Sequence, residues 1–265
     1  MSHFLELASH RMHYCVDGPS DAPAIVFCNS LGTDLAMWDP QVAALADEYR
    51  IVRYDRRGHG QSSTSETGFS IADLAQDVIA LIDHLNLSRV HFCGLSIGGL
   101  VGQHLGIHAS NRLYSLSLCA TASKIGDYDS WTQRAALIRK EGMAPLLEAT
   151  AGRWFNDSFI EQQAETVKQI LDTFAKTLPE GYAQCCEALA QADFSDDIRR
   201  ITVPTLCIAG EQDPVCTPDD LKRLAQGVQA GSQLSIHGKH ICNMESPDAF
   251  NQAFRSFLAL HTPSA

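Results

Sequence analysis

The chain has 265 residues, 45% of them apolar, which is enough for one large α/β domain or for a core carrying an inserted segment. Its net charge of −11 argues against nucleic acid and anionic membranes as partners, and no apolar run approaches the roughly 20 residues that span a bilayer. The opening MSHFLELASH carries an acid and lacks a basic-then-apolar leader, and the nine cysteines are odd in number and irregularly spaced, so a reducing, cytoplasmic setting is expected.

In chain order, residues 4–8 and 12–16 alternate apolar and polar around Ser9-His10, the pattern of a hairpin. AIVFC at 24–28 is a continuous apolar run, as in a parallel strand covered on both faces. A turn at 29–33 and a helix near 38–47 follow. RIVRY at 50–54 is the next strand, and Asp55-Arg-Arg-Gly-His-Gly60 is its loop. Ser70 with Asp73 three residues on forms a capping box, and Ile71, Leu74, Val78, Leu81, Ile82 and Leu85 repeat behind it at helical spacing. Strand residues 90–93 run into Gly94-Leu-Ser96-Ile-Gly98, a helical pattern occupies 98–108, and a strand is expected at 113–118. A hairpin followed by βαβαβαβ predicts a largely parallel sheet with helices on both faces. From about 123 to 197 the strands stop, and helical patterns at 131–139, 144–155, 161–177 and 182–191 interrupt the alternation. The expected organisation is therefore a core of residues 1–122 and 198–265 with a helical lid, 123–197, inserted in it. Strands at 205–209 and 233–236, and helices at 218–226 and 247–260, resume the alternation.

The G-x-S-x-G at 94–98 has the context that makes such a pentapeptide a nucleophile elbow: a strand before it, a helix after it, and small flanking residues. A serine nucleophile needs a base, and the base needs an orienting acid. Asp213 lies on the loop after the 205–209 strand, and His240 lies just past the 233–236 strand. Serine, acid, histidine is the chain order of an α/β-hydrolase triad, with every member at the carboxyl edge of one sheet. Glu211 is the rival acid and His237 the rival base; Asp55 and His59 precede the serine and read as turn builders. An oxyanion hole needs two N–H donors. Ile97 supplies one, and the loop after residue 28 supplies the other, with Leu31 the first candidate and Ser30 the alternative. No pair of Cys or His at ligand spacing, no phosphate loop and no dinucleotide fingerprint is present, so neither metal nor cofactor is expected.

Over nearly its whole length the chain resembles the α/β-hydrolase fold family, and within it the 3-oxoadipate enol-lactonases. Gly-Leu-Ser96-Ile-Gly, Gly-Glu-Gln-Asp213 and Gly-Lys-His240-Ile carry the fold resemblance. Asn29-Ser-Leu-Gly-Thr-Asp-Leu-Ala-Met-Trp38, Arg53-Tyr-Asp-Arg-Arg-Gly-His-Gly60, Lys124-Ile-Gly, Trp131, Arg134, Glu141-Gly-Met and Arg153-Trp-Phe155 carry the narrower one. Most relatives have His-Gly where this chain has Asn29-Ser30. The resemblance implies hydrolysis of a carboxymethyl enol-lactone to 3-oxoadipate, through an acyl-enzyme, in aromatic-compound degradation. It implies no decarboxylase domain beyond Ala265. The substrate carboxylate needs a cation or donors in the lid. Arg134 is the first candidate, with Arg139, Lys140 and Arg153 as rivals, and Trp131 is a candidate cavity wall. A general carboxylesterase, a carbon–carbon bond hydrolase of ring-cleavage products, and a small-molecule receptor built on the same fold are the alternative readings.

Overall fold

The computed structural model describes residues 2–262; Met1 and residues 263–265, at the two ends of the expected core, lie outside it. The first hairpin forms as expected, β1 (Ser2–Glu6) pairing antiparallel with β2 (Arg11–Asp17). β3 (Ala24–Cys28) is buried at every residue, as its uniformly apolar sequence requires. The helix expected near 38–47 instead begins as a 3₁₀ turn, Leu35–Trp38, and continues as α1 (Asp39–Leu45). The shift has a local cause. Asp34 caps the turn by accepting from Ala36 N–H, and Pro40 is acceptable only in the first turn of the helix that follows. β4 (Arg50–Tyr54) precedes α2 (Ile71–His84), whose Ser70–Asp73 capping box is present.

β5 (Val90–Leu95) leads through Ser96 into α3 (Ile97–His108), and β6 (Leu113–Cys119) follows. Between β6 and the next strand lie only helices: α4 (Tyr128–Glu141), α5 (Ala144–Trp154), α6 (Asp157–Gln162), α7 (Ala164–Lys176), α8 (Pro179–Gln191) and a short 3₁₀ turn. The single helix expected over 161–177 is two helices, because Gln163 leaves helical backbone geometry at φ −121°, ψ 37°. The break lets Phe159 stack on Phe155 at 4.9 Å while α7 buries Val167 and Phe174 separately. β7 (Thr205–Gly210), α9 (Pro218–Gly227), β8 (Gly231–Ile236), α10 (Cys242–Glu245) and α11 (Pro247–His261) complete the chain.

The strands form one sheet in the order β1-β2-β4-β3-β5-β6-β7-β8, parallel from β4 to β8 and antiparallel at the β1–β2 and β2–β4 pairings. β3 and β5 occupy its centre. Their carboxyl ends therefore meet at the crevice where open α/β sheets bind ligands. All nine cysteines are thiols, and all but Cys15 are buried. No helix among the described residues is long and apolar enough to cross a membrane.

Candidate active site

Ser96 occupies the turn between β5 and α3 with φ 60° and ψ −119°, a left-handed conformation that costs a residue with a side chain on the order of 1–3 kcal/mol. Packing imposes it. A Cβ on Gly94 would collide with the Gly98 carbonyl, and one on Gly98 with the Cys28 carbonyl, so only glycine lets strand, turn and helix come this close. Ser96 N–H donates to the Cys119 carbonyl at 2.9 Å and ties the turn to the neighbouring strand.

Asp213 and His240 stand on the loops past β7 and β8, and both are buried. His240 Nδ1 donates to Asp213 Oδ2 at 2.9 Å, and Val215 N–H donates to Asp213 Oδ1 at 2.7 Å. Each carboxylate oxygen thus has a donor. The imidazole is held with its proton on Nδ1 and with Nε2 as the basic nitrogen. His240 and Ser96 line the same cavity, of about 260 Å³. The rivals stay apart from this pair: Glu211 is exposed, with its carboxylate accepting from Gln212 and its N–H donating to the Ile236 carbonyl, and His237 is exposed.

The loop after β3 forms the cavity wall facing Ser96, with Ser30 and Leu31 among the lining residues. Asn29 anchors this loop: its amide donates to the Tyr54 carbonyl at 3.1 Å and accepts from Trp38 Nε1 at 3.0 Å. Gly32 N–H donates to His59 Nε2 at 3.0 Å, while His59 Nδ1 donates to the Arg57 carbonyl at 3.0 Å. Both ring nitrogens are committed as in neutral imidazole. Burial, aided by the Arg56 charge, pushes the His59 pKa down to about 3. His59 is therefore a fixed acceptor and not a base. Asp55 does not pair with it. Asp55 accepts from His13 Nδ1 at 2.6 Å, Leu35 N–H at 2.8 Å and Gln61 N–H at 2.9 Å, which makes it a turn builder. Gly32 N–H being taken, Leu31 N–H is a free donor of this loop: no group among the described residues accepts from it. Ile97 N–H, at the first position of α3, likewise has no helical partner.

The helical segment covers the cavity. Trp131 and Arg134 line it from α4, and Arg153 from α5. Trp131 is fixed by donating Nε1 to the Ile125 carbonyl at 2.6 Å, and the Arg134 guanidinium lies 4.8 Å over its ring. Arg134 also faces Tyr182, whose phenol burial pushes up and Arg134 pulls back. Among the described residues neither Arg134 nor Arg153 has a carboxylate partner. Arg139 is instead held by Glu180 and Glu187, and Lys140 by Glu141. Of the four cations weighed from sequence, two thus face the cavity and two point into other ion pairs.

The sequence reading missed the aromatic walls Trp154, Phe174 and Tyr182. In a sequence, such residues at helical spacing are indistinguishable from lid core. Among the described residues no group of three or more His, Cys, Asp or Glu is placed to hold a metal.

A family model described as alpha/beta hydrolase fold matches residues 23–247. 3-Oxoadipate enol-lactonase 2 of Acinetobacter baylyi is 43% identical over 247 residues, 93% of this chain and 92% of that protein. The crystal structure of the enol-lactonase from Burkholderia xenovorans superposes with a TM-score of 0.95 at 40% identity, over 97% of this chain and all of that one. A hydrolase from Pseudomonas aeruginosa superposes with a TM-score of 0.94 at 34% identity, over 97% of this chain and 98% of the other.

Proposed function

The chain belongs to the alpha/beta hydrolase fold family and is a hydrolase of ester bonds, and we propose that it opens 3-oxoadipate enol-lactone to 3-oxoadipate in the degradation of aromatic compounds. The observation that carries this reading is a single cavity that holds a strained serine, a histidine oriented by a buried aspartate, and two arginines without acid partners among the described residues. The chemistry needs the first three, and an anionic lactone needs a cation.

Ser96 Oγ attacks the lactone carbonyl as His240 Nε2 takes its proton, and Asp213 stabilises the imidazolium that forms. Negative charge develops on the former carbonyl oxygen, where the N–H groups of Leu31 and Ile97 meet it at the positive end of α3. The tetrahedral intermediate collapses, the ring C–O bond breaks, and the enol oxygen leaves with the proton from His240. Because the substrate is a ring, this leaving group stays tethered in the acyl-enzyme. Water, deprotonated by His240, then attacks the acyl carbon, the bond to Ser96 Oγ breaks, and His240 returns the proton to Oγ. The freed enol tautomerises to the ketone. Residues 123–197 act as a lid over this chemistry, with Trp131 as a wall and Arg134 as the partner of the carboxymethyl group. The buried thiols, packed as small apolar groups, support a reducing, cytoplasmic setting.

The test is the loss of enol-lactone ultraviolet absorbance with purified protein. The reading expects turnover of the lactone well above that of a simple nitrophenyl ester. Turnover of the ester alone would return the protein to the general carboxylesterases.

A further inference from the structure

Each of the two proposed oxyanion donors is one half of a peptide group, and a buried threonine holds the other half of each. The Ser30 carbonyl shares its peptide with Leu31 N–H and accepts Thr33 Oγ1 at 3.0 Å. The Ser96 carbonyl shares its peptide with Ile97 N–H and accepts Thr121 Oγ1 at 2.8 Å. The peptide is planar and trans, so fixing the carbonyl aims the N–H the opposite way. A donor on the carbonyl also polarises the amide and strengthens its N–H, by about 10–30% per bond in condensed-phase estimates.

Two further observations separate this from ordinary packing. First, the hydroxyls are redundant for satisfying the carbonyls. The Ser96 carbonyl already accepts Gly99 N–H at 2.8 Å and Leu100 N–H at 3.3 Å, and the Ser30 carbonyl accepts Thr33 N–H at 3.4 Å and Arg56 Nη1 at 3.4 Å. Second, the chain makes room for one of them. A Cβ on Gly99 would lie 2.6–2.7 Å from the Thr121 side chain, so a glycine that weakens α3 is what admits the hydroxyl to the Ser96 carbonyl. The Thr33 proton has a second acceptor, Met37 Sδ at 3.3 Å, but the carbonyl oxygen is nearer and the stronger acceptor.

We propose that Thr33 and Thr121 are paired positioning residues, each acting through one peptide to aim and strengthen one oxyanion donor. The proposal rests on the reading of Leu31 and Ile97 as those donors. Neither threonine touches substrate. Because the effect is confined to developing negative charge, it belongs in kcat and in the binding of anionic tetrahedral mimics.

Thr33→Val and Thr121→Val test this beside Thr33→Ser and Thr121→Ser, with enol-lactone as substrate and a small alkylboronic acid as a mimic that adds to a serine hydroxyl as a tetrahedral anion. Removing an oxyanion donor outright costs 10²–10³ in kcat, so loss of its support is expected to cost about three- to tenfold per valine variant. Boronate inhibition should weaken by the same factor and KM should change less than about twofold, since ground-state binding is untouched. The serine variants should restore both. Valine variants that melt earlier yet keep kcat and boronate affinity would overturn the proposal. So would a fall in kcat with boronate affinity unchanged, or serine variants as poor as the valines. A wild-type enzyme that turns over lactone but ignores boronate would overturn the Ser96 reading itself, and the proposal with it.

Discussion

The sheet edge and the helical segment above it treat charge in opposite ways. At the sheet edge three buried carboxylates are held by close partners: Asp213 by His240 and Val215, Asp55 by His13 and two backbone amides, and Asp77 by Arg57 at 2.6 Å. In the helical segment the two arginines facing the cavity have no acid among the described residues, while Arg139 on the outer side is clasped by Glu180 and Glu187. Buried carboxylates held by several donors are rigid, and rigidity is what proton transfer and oxyanion stabilisation require. A cation left without a partner is instead available to an incoming anion. Under the proposed function, the difference places chemistry at the sheet edge and selection in the segment over it.

The comparison breaks first at Ser96. Ser96→Ala should keep the fold and lose about 10⁴-fold or more in kcat on every substrate, charged or neutral. Steady-state turnover on both classes checks it, and a tenth of wild-type activity remaining would disqualify the serine. Asp213→Asn comes next: with His240 free to adopt the wrong tautomer, kcat should drop by roughly 10³–10⁴. Glu211→Gln, on the same loop but exposed, should change kcat little. Reversed results would move the acid to Glu211.

Acid should expose the sheet side as the limit on stability. Burial holds His59 down to about 3 and His91 down to about 4, against an ordinary value of 6.5. Above pH 6.5 both are neutral folded or unfolded and contribute no pH dependence. Below it the unfolded chain takes up protons that the folded chain refuses, so stability falls with pH until about 4 for His91 and about 3 for His59. The folding equilibrium should weaken by up to about tenfold per histidine per pH unit in that window. Urea midpoints measured from pH 7 to 4 check the slope, and His59→Gln should flatten part of it. The smallest effect is expected at the cavity rim. Arg153 is exposed, so its pull on an anion is screened, and Arg153→Ala should change kcat/KM for the lactone by no more than about threefold at physiological salt.

Most of the sheet edge was legible in the sequence because it is written in short local patterns. Uniform apolar runs gave β3 and β5, and G-x-S-x-G between a strand and a helix gave the Ser96 turn. Asp213 and His240 were legible because each follows a strand end, and sheet topology converts that position into proximity. The helical segment was legible only in outline. Helical spacing located its helices but not the break at Gln163, since the surrounding apolar pattern runs on through it. Nor could spacing tell Arg134 from Arg139, because five residues on a helix decide which way a side chain faces only once the packing partner is known. His59 was read as a turn residue, but its bond to Gly32 joins two loops and has no local signature.

The division of labour is tested most directly at Arg134. The measurement is kcat/KM for the carboxymethyl enol-lactone and for a neutral lactone, in the wild type and in Arg134→Ala. A charge-assisted hydrogen bond is worth roughly 1.5–3 kcal/mol, so the charged lactone should lose about ten- to a hundredfold while the neutral one barely changes. Equal losses on both would contradict the account, because Arg134 would then be supporting the segment and not selecting the anion.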